Sequence, residues 1–231
     1  MVKENLKDVE SRVQAACNRA GRAREDVLLI AVSKTKPVSM IREIMETGTK
    51  DFGENKVQEM CSKIEEITEP LNWHLIGHLQ RNKVKYIVDK AYLIHSVDSI
   101  RLAEEIQKEA QKKGVAKVPV LIEVNMAEEE SKDGITAGET EALVRAIAEL
   151  PNIQIRGLMT IAPFVDDPEE NRVHFKAMRE LRDSLKAMNI PSVEMDELSM
   201  GMTNDFEVAI EEGSTMVRVG TAIFGERNYN I

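Results

Sequence analysis

The chain contains 231 residues, of which 42% are hydrophobic and 31% are charged, and its formal net charge is −9 at pH 7. A chain of this length can bury one substantial core, so we expect a single domain over residues 1–231. The excess of acidic residues argues against nucleic-acid binding, which needs clustered basic side chains. Without an apolar run of about 18 to 20 residues or the apolar core of a signal peptide, we expect a cytoplasmic protein with no membrane partner.

An amphipathic helix is the first element that the sequence predicts. Apolar side chains near the N-terminus recur at helical spacing and share one face: Leu6, Val9, Val13, Ala16 and Ala20. Such a face predicts burial against the rest of the domain, although it could also serve as an interaction surface. The two cysteines lie outside any C-x-x-C pair or histidine cluster, so we expect neither a disulfide framework nor a metal site.

Apolar runs of strand length then recur along the chain and are rich in β-branched residues. There are eight of them, namely Val27–Val32, Asp51–Gly53, Trp73–Ile76, Tyr92–Ser96, Val118–Val124, Ile153–Ile161, Val193–Leu198 and Met216–Val219. Several of these runs are separated by segments whose apolar residues recur at helical spacing. One example is the series Val173, Ala177, Leu181, Leu185 and Met188.

Two helix boundaries are visible in the sequence. Asp167 offers an acceptor for first-turn amides, Pro168 suits the first helical position, and glutamates follow, which together predict a helix start. A second helix is predicted from Thr203 to Gly213, because glycine tolerates the positive φ of a C-terminal cap.

The alternation of strands and helices determines the predicted fold class. Strands joined by helical crossovers are parallel, and eight such units favour an α/β (β/α)8 barrel of the TIM type over an open sheet. We expect the extra N-terminal helix to cover the N-terminal mouth of the barrel. Function belongs at the opposite end, where the loops that follow the strands gather.

Lys34 is the candidate nucleophile at this end. It directly follows the first apolar run, so its amine is anchored near an apolar interior, where desolvation favours the neutral form that attacks aldehydes. Lys36 is the rival, but Pro37 places it in the loop. A lysine at a strand end could instead merely extend its ammonium into solvent.

A phosphate site is predicted after the seventh and eighth strands, where barrels often hold one. The segment 199–203 and the pair Gly220–Thr221 offer hydroxyls and small residues that let backbone amides approach an anion. These glycines could also serve only the geometry of tight turns. Arg218 lies on the last strand, where burial without a partner is costly, so we expect it to face a ligand or an acid.

Other polar residues give weaker indications. His74 lies within the third strand and is expected to be a satisfied core residue, whereas His78 in the following loop could reach a ligand. Lys132 follows the fifth strand and could attract anions to the mouth. We assign catalysis to none of them.

At these residues the sequence resembles the pyridoxal phosphate homeostasis protein family, also called the proline synthase co-transcribed homologue family. The resemblance extends over nearly the whole chain in the segments 29–37, 52–59, 73–80, 156–159, 198–202 and 216–225. It implies the barrel of the alanine racemase N-terminal domain, which is fold type III of pyridoxal phosphate proteins. One departure is His78, where the family often has proline.

The resemblance also implies a cofactor, pyridoxal 5′-phosphate, and a role for each matching residue. Lys34 matches the lysine that forms the Schiff base, and Arg218 matches the arginine that faces the pyridine nitrogen. The remaining matches are the phosphate-binding positions Ser199, Gly201, Gly220 and Thr221 and the positions that line the cofactor, Asn55, Ile76 and Met159.

The implied function is intracellular homeostasis of the cofactor, through buffering or delivery to apo-enzymes, without efficient turnover. The first alternative is a weak amino-acid racemase, which needs a second acid or base opposite Lys34. None of Tyr86, Tyr92 and Tyr229 can be assigned to that position from the sequence. A Schiff-base aldolase acting on a phosphosugar is a further alternative.

Overall fold

The computed structural model describes residues 1–129 and 132–226. Eight parallel strands form a closed barrel in which each strand pairs with the next and the last pairs with the first. The strands are β1 Leu28–Val32, β2 Asp51–Glu54, β3 Asn72–Leu75, β4 Leu93–Val97, β5 Val118–Glu123, β6 Ile153–Met159, β7 Val193–Met202 and β8 Met216–Val219. The predicted barrel and all eight strands are confirmed, with boundaries that shift mostly by one or two residues.

Nine α-helices accompany the strands in the described part of the chain. They are α1 Val2–Arg19, α2 Val38–Met45, α3 Val57–Glu66, α4 Val84–Ile87, α5 Ile100–Lys113, α6 Ala137–Ala148, α7 Arg172–Ala187, α8 Phe206–Glu211 and α9 Thr221–Phe224. None of these helices is long and apolar enough to cross a lipid bilayer.

The helix predicted before the first strand is present, but its predicted position is wrong. α1 packs against α2, α8 and α9 in the outer layer of helices rather than across the N-terminal mouth. The physical reason is that α9, which follows the last strand, has only four residues. α1 supplies the apolar face that this short helix cannot provide, and it buries Leu6, Val9 and Val13 completely or nearly so.

Two other helix predictions need correction. Asp167 caps its helix as predicted by accepting from the Glu169 amide at 3.0 Å, but the first turn, Pro168–Asn171, is a 3₁₀ turn. The buried face of α7 carries Phe175, Met178 and Leu185, whereas Val173 is 64% exposed. The predicted apolar series therefore misplaced this face by part of a turn.

The helix predicted from Thr203 begins at Phe206 instead. β7 continues to Met202, and Asp205 then closes a turn by accepting from the Met202 amide at 2.7 Å. Gly213 has the positive φ of +99° expected just beyond the end of this helix.

The interior of the barrel is apolar in one layer and polar in another. A small cluster combines Ile30, Leu93, Leu121, Met159 and Met216 from five strands. Because β1 and β4 are not neighbours in the sheet, Ile30 and Leu93 can share a cluster only across the interior. The other layer contains buried polar side chains, including those of His74, His95, Ser199 and Arg218.

Candidate functional site

Lys34 lies in the turn after β1, two residues beyond the end of the strand, and is half-buried. The residues on both sides of it are fixed. Ser33 is completely buried, and the Thr35 amide, in a left-handed conformation with φ of 62°, donates to Glu59 Oε1 at 2.6 Å. The turn therefore presents Lys34 from a rigid backbone at the C-terminal mouth.

A buried ion pair stabilises this turn, and sequence reasoning missed it. Lys63 Nζ donates to the Ser33 carbonyl and to Glu54 Oε1, both at 2.7 Å, and the Ser33 hydroxyl donates to the same carboxylate oxygen at 2.6 Å. Burial raises the pKa of the Glu54 carboxyl, and this effect outweighs the opposing attraction of Lys63. The sequence feature that could have indicated this ion pair is the i, i+4 spacing of Glu59 and Lys63 on α3, which lets the two side chains contact each other.

The rival lysine has a different environment. Lys36 Nζ donates to the carbonyl oxygens of Gly225 at 2.9 Å and Glu226 at 2.7 Å, just beyond the end of α9. Its ammonium therefore stabilises the chain segment just beyond α9.

The loop after β8 lies against the strand that leads to Lys34. A Cβ on Gly220 would lie 3.3 Å from Val32 Cβ, so Gly220 approaches the last residue of β1 closely. The Thr203 hydroxyl accepts from the amides of Gly220 at 3.3 Å and Ala222 at 3.5 Å. These long bonds mark amides that a stronger acceptor could bind, and Thr203 is a site residue that the sequence analysis did not select.

Gly201 shows why this corner of the barrel requires glycine. Its φ is +94°, and a Cβ there would lie 2.6 Å from Ala209 Cβ and 2.9 Å from Phe206 Cα. The end of β7 can therefore press against α8 only without a side chain. Thr221 begins α9 directly after Gly220, so the predicted phosphate residues in the loop after β8 are adjacent in space to Thr203.

Arg218 is 3% exposed and points into the barrel. Its Nη1 donates to Ser199 Oγ at 2.5 Å, and its Nη2 donates to the Thr160 carbonyl at 2.9 Å. Burial lowers the pKa of the guanidinium to about 10, while Glu123 and Asp205 oppose this change. Arg218 therefore stays protonated at neutral pH.

The three predicted lining residues occupy different depths. Met159 is completely buried and pairs in register with Ser199. Ile76 is 7% exposed just beyond β3, and its Cδ1 would lie 3.1 Å from a Cβ on Gly53. Asn55 is half-buried after β2 and lies against Gly77.

Buried histidines connect Ser199 to the far side of the barrel. His74 is satisfied at both ring nitrogens, which contact His95 at 2.9 Å and Asp51 at 3.1 Å. The other ring nitrogen of His95 lies 2.9 Å from Ser199 Oγ. His74 is thus a core residue as predicted, whereas His95 was not identified from the sequence.

The remaining candidates lie at the rim. His78 Nδ1 is 3.4 Å from Asp133 Oδ1, and Lys132 Nζ is paired with Glu129 Oε1 at 2.8 Å. In the described part of the chain, the ligand atoms of His78, Asp98 and Asp133 are close enough to share a cation, but we assign no ion to these exposed groups. Tyr86 and Tyr92 are each 47% exposed, and Tyr229 lies outside the described residues.

Comparison with known proteins identifies the family. The family described as alanine racemase, N-terminal domain, matches residues 5–228. A protein of Aquifex aeolicus named pyridoxal phosphate homeostasis protein is 49% identical over 98% of both chains. The chain belongs to the pyridoxal phosphate homeostasis protein family.

Solved structures agree with membership of the pyridoxal phosphate homeostasis protein family. PipY of Synechococcus elongatus, solved with pyridoxal phosphate bound, has a TM-score of 0.85 at 35% identity and covers 97% of this chain and 100% of its own. An alanine racemase of Clostridium difficile has a TM-score of 0.78 at 14% identity, and the match covers 99% of this chain but 57% of the racemase. The second likeness shows the barrel fold alone.

Proposed function

We propose that this member of the family binds pyridoxal 5′-phosphate on Lys34 and buffers or delivers it to apo-enzymes in the cytoplasm. The observation that carries the proposal is the close approach of Gly220 to Val32, which brings the loop after β8 beside the strand end that bears Lys34. PipY supports it as a relative with the same cofactor bound. Bound there, the cofactor would supply an aldehyde that condenses with an amine.

The residues present fit each part of this group. The phosphate would take the amides of Gly220 and Thr221, together with the segment that contains Ser199 and Gly201. The Thr203 hydroxyl, which follows that segment, now accepts two long hydrogen bonds from the Gly220 and Ala222 amides. Arg218 would face the ring nitrogen, and Asn55, Ile76 and Met159 would line the ring.

Arg218 also determines what the site can do chemically. A guanidinium with a pKa of about 10 donates hydrogen bonds but does not accept a proton near neutral pH. Arg218 would therefore leave the ring nitrogen of a bound cofactor unprotonated, and such a ring would be a weak electron sink. Among the described residues, neither Tyr86 nor Tyr92 is assigned opposite Lys34, and we propose that the protein has no efficient turnover on amino acids.

Borohydride reduction tests the assignment of Lys34. The loaded protein should carry the reduced label on Lys34 after peptide mapping, because its amine is presented by the rigid turn beside Gly220. Lys36→Ala should keep the label, and Lys34→Ala should lose it. A label confined to Lys36 would contradict the proposal.

A transfer assay separates the carrier from an enzyme. The loaded protein is mixed with an apo-enzyme that needs pyridoxal phosphate and, separately, with α-deuterated alanine. We expect transfer of the cofactor without rapid loss of deuterium. Fast exchange with inversion of configuration would instead support the racemase-like alternative.

A further inference from the structure

A row of buried polar side chains crosses the barrel from Arg218 to its N-terminal side. The row runs from Arg218 on β8 through Ser199, His95 and His74 to Asp51, with successive distances of 2.5, 2.9, 2.9 and 3.1 Å. The first four side chains are almost completely buried, whereas Asp51 is 16% exposed at the start of β2. Because β4 and β7 are not neighbours, the contact of His95 with Ser199 spans the interior.

The two ends of the row determine the direction of every hydrogen bond in it. Arginine can only donate, and an ionised carboxylate can only accept. Ser199 Oγ therefore accepts from Arg218 and gives its single proton to His95 Nδ1. His95 then donates from Nε2 to His74 Nδ1, and His74 donates from Nε2 to Asp51. In this arrangement each ring carries a single proton, on Nε2.

The alternative arrangement satisfies fewer groups. If His95 donated from Nδ1, Ser199 Oγ would accept from both His95 and Arg218, and its own proton would have no hydrogen-bond acceptor among the contacts of the described residues. His95 is held neutral because its burial above all, together with the positive charge of Arg218, lowers its pKa well below the usual range. This one-way row thus satisfies the Ser199 hydroxyl and all four ring nitrogens of the two histidines.

We propose that His74 and His95 are positioning residues that hold the Ser199 hydroxyl, and through it Arg218, toward the cofactor ring. Without His95, the Ser199 hydroxyl could rotate. Of the two hydrogen-bond partners that Arg218 has among the described residues, the Thr160 carbonyl would then be the one that stays fixed. The Ser199 side chain then serves the arginine, and this position contributes to phosphate binding through its backbone or its neighbours. The inference rests on the proposed binding of pyridoxal phosphate.

The first test needs no cofactor and examines the row itself. Nitrogen NMR of protein labelled at histidine reports which ring nitrogen carries the proton in each neutral imidazole. We expect Nε2–H for both His74 and His95, with signals assigned by their loss in His74→Gln and His95→Gln. An Nδ1–H or doubly protonated His95 near neutral pH would overturn the proposal, whatever the protein binds.

The second test measures the effect on the ring. His95→Phe keeps an aromatic ring but removes both hydrogen bonds, so we expect a changed absorption spectrum of the bound cofactor and roughly tenfold weaker binding. Affinity for pyridoxal should fall by the same factor, because the phosphate contacts stay intact. His174→Gln on α7 is the matched control and should change neither quantity.

Two outcomes keep the proposals distinguishable. If the unaltered protein binds neither pyridoxal phosphate nor pyridoxal, the proposed function fails, while the NMR result still tests the row. If the unaltered protein binds the cofactor but neither His95→Phe nor Ser199→Ala changes its spectrum, the positioning role is wrong. Ser199→Ala removes the central link at small cost in volume, so the test does not depend on His95→Phe folding.

Discussion

At the scale of single residues, Glu123 is the most perturbed carboxyl inside the barrel. Its residue is 4% exposed at the end of β5, and burial raises its pKa to about 8, with further contributions from Asp133 and Asp98 that Arg218 opposes. In the unfolded chain the same carboxyl ionises at its ordinary value of 4.5. Unfolding therefore releases a proton throughout the window between these two values.

The free energy of unfolding should consequently fall as the pH rises from about 4.5 to about 8. Glu123→Gln cannot ionise, so at pH 8 we expect it to be more stable than the unaltered protein by up to roughly 4 kcal/mol. Near pH 4.5 the two proteins should differ little. Denaturant unfolding of the cofactor-free proteins measures both values, with exposed Glu104→Gln as control, and equal pH dependence in all three would refute the assignment.

Thr203 supports a prediction about the phosphate. Thr203→Val keeps the shape of the side chain but removes the hydroxyl that lies over the Gly220 and Ala222 amides. Once a phosphate accepts from these amides, the released Thr203 hydroxyl can donate to the phosphate. Affinity for pyridoxal phosphate should therefore fall about tenfold in Thr203→Val, since a hydrogen bond to a charged group is lost. Affinity for pyridoxal should stay the same, and Thr49→Val before β2 serves as control. An equal loss for both ligands would contradict a phosphate contact.

At the scale of elements, the pairing of β6 with β7 depends on the close approach of Gly157 to the Glu197 backbone. The register of β6 shifts between Ile155 and Gly157, and a Cβ on Gly157 would lie 1.9 Å from the Glu197 carbonyl oxygen of β7. Gly157→Ala must therefore push two paired strands apart. We expect it to lower the free energy of unfolding by about 3 kcal/mol or more.

Gly138→Ala is the matched control for this substitution. A Cβ on Gly138, in the first turn of α6, would meet nothing within 4 Å. Alanine should be neutral or slightly stabilising there, because it reduces the freedom of the unfolded chain. Thermal or denaturant unfolding measures both variants, and a tolerated Gly157→Ala would show that β6 and β7 can adjust.

At the scale of the whole molecule, we expect α1 and the barrel to unfold together as one domain. Trp73, the only tryptophan of the chain, lies on β3 in the barrel, whereas Val9 is completely buried on α1. Val9→Ala should destabilise the protein by about 1–3 kcal/mol. The unfolding midpoint should shift by the same amount whether it is followed by Trp73 fluorescence or by helical circular dichroism. Exposed Lys7→Ala should change neither. Separate transitions for the two probes would show that α1 is an independent unit.

The sequence by itself determined the elements and their arrangement. Alternating apolar runs and helical spacings predict eight parallel strands because each period is a local property of the chain. The order of the strands then follows from crossovers between neighbours, and the strand ends locate Lys34, Gly220 and Arg218 at one end of the barrel. These predictions needed no knowledge of which distant side chains would meet.

Contacts between distant strands were decided only by the tertiary structure. His95 lies 104 positions before Ser199, and nothing in either local pattern indicates that they share a hydrogen bond. The packing of α1 beside α9 likewise depends on how much surface a four-residue helix leaves uncovered. Local periodicity specifies which face of an element is apolar, but only closure of the barrel determines which buried polar groups satisfy one another, because each must find its partner across the interior.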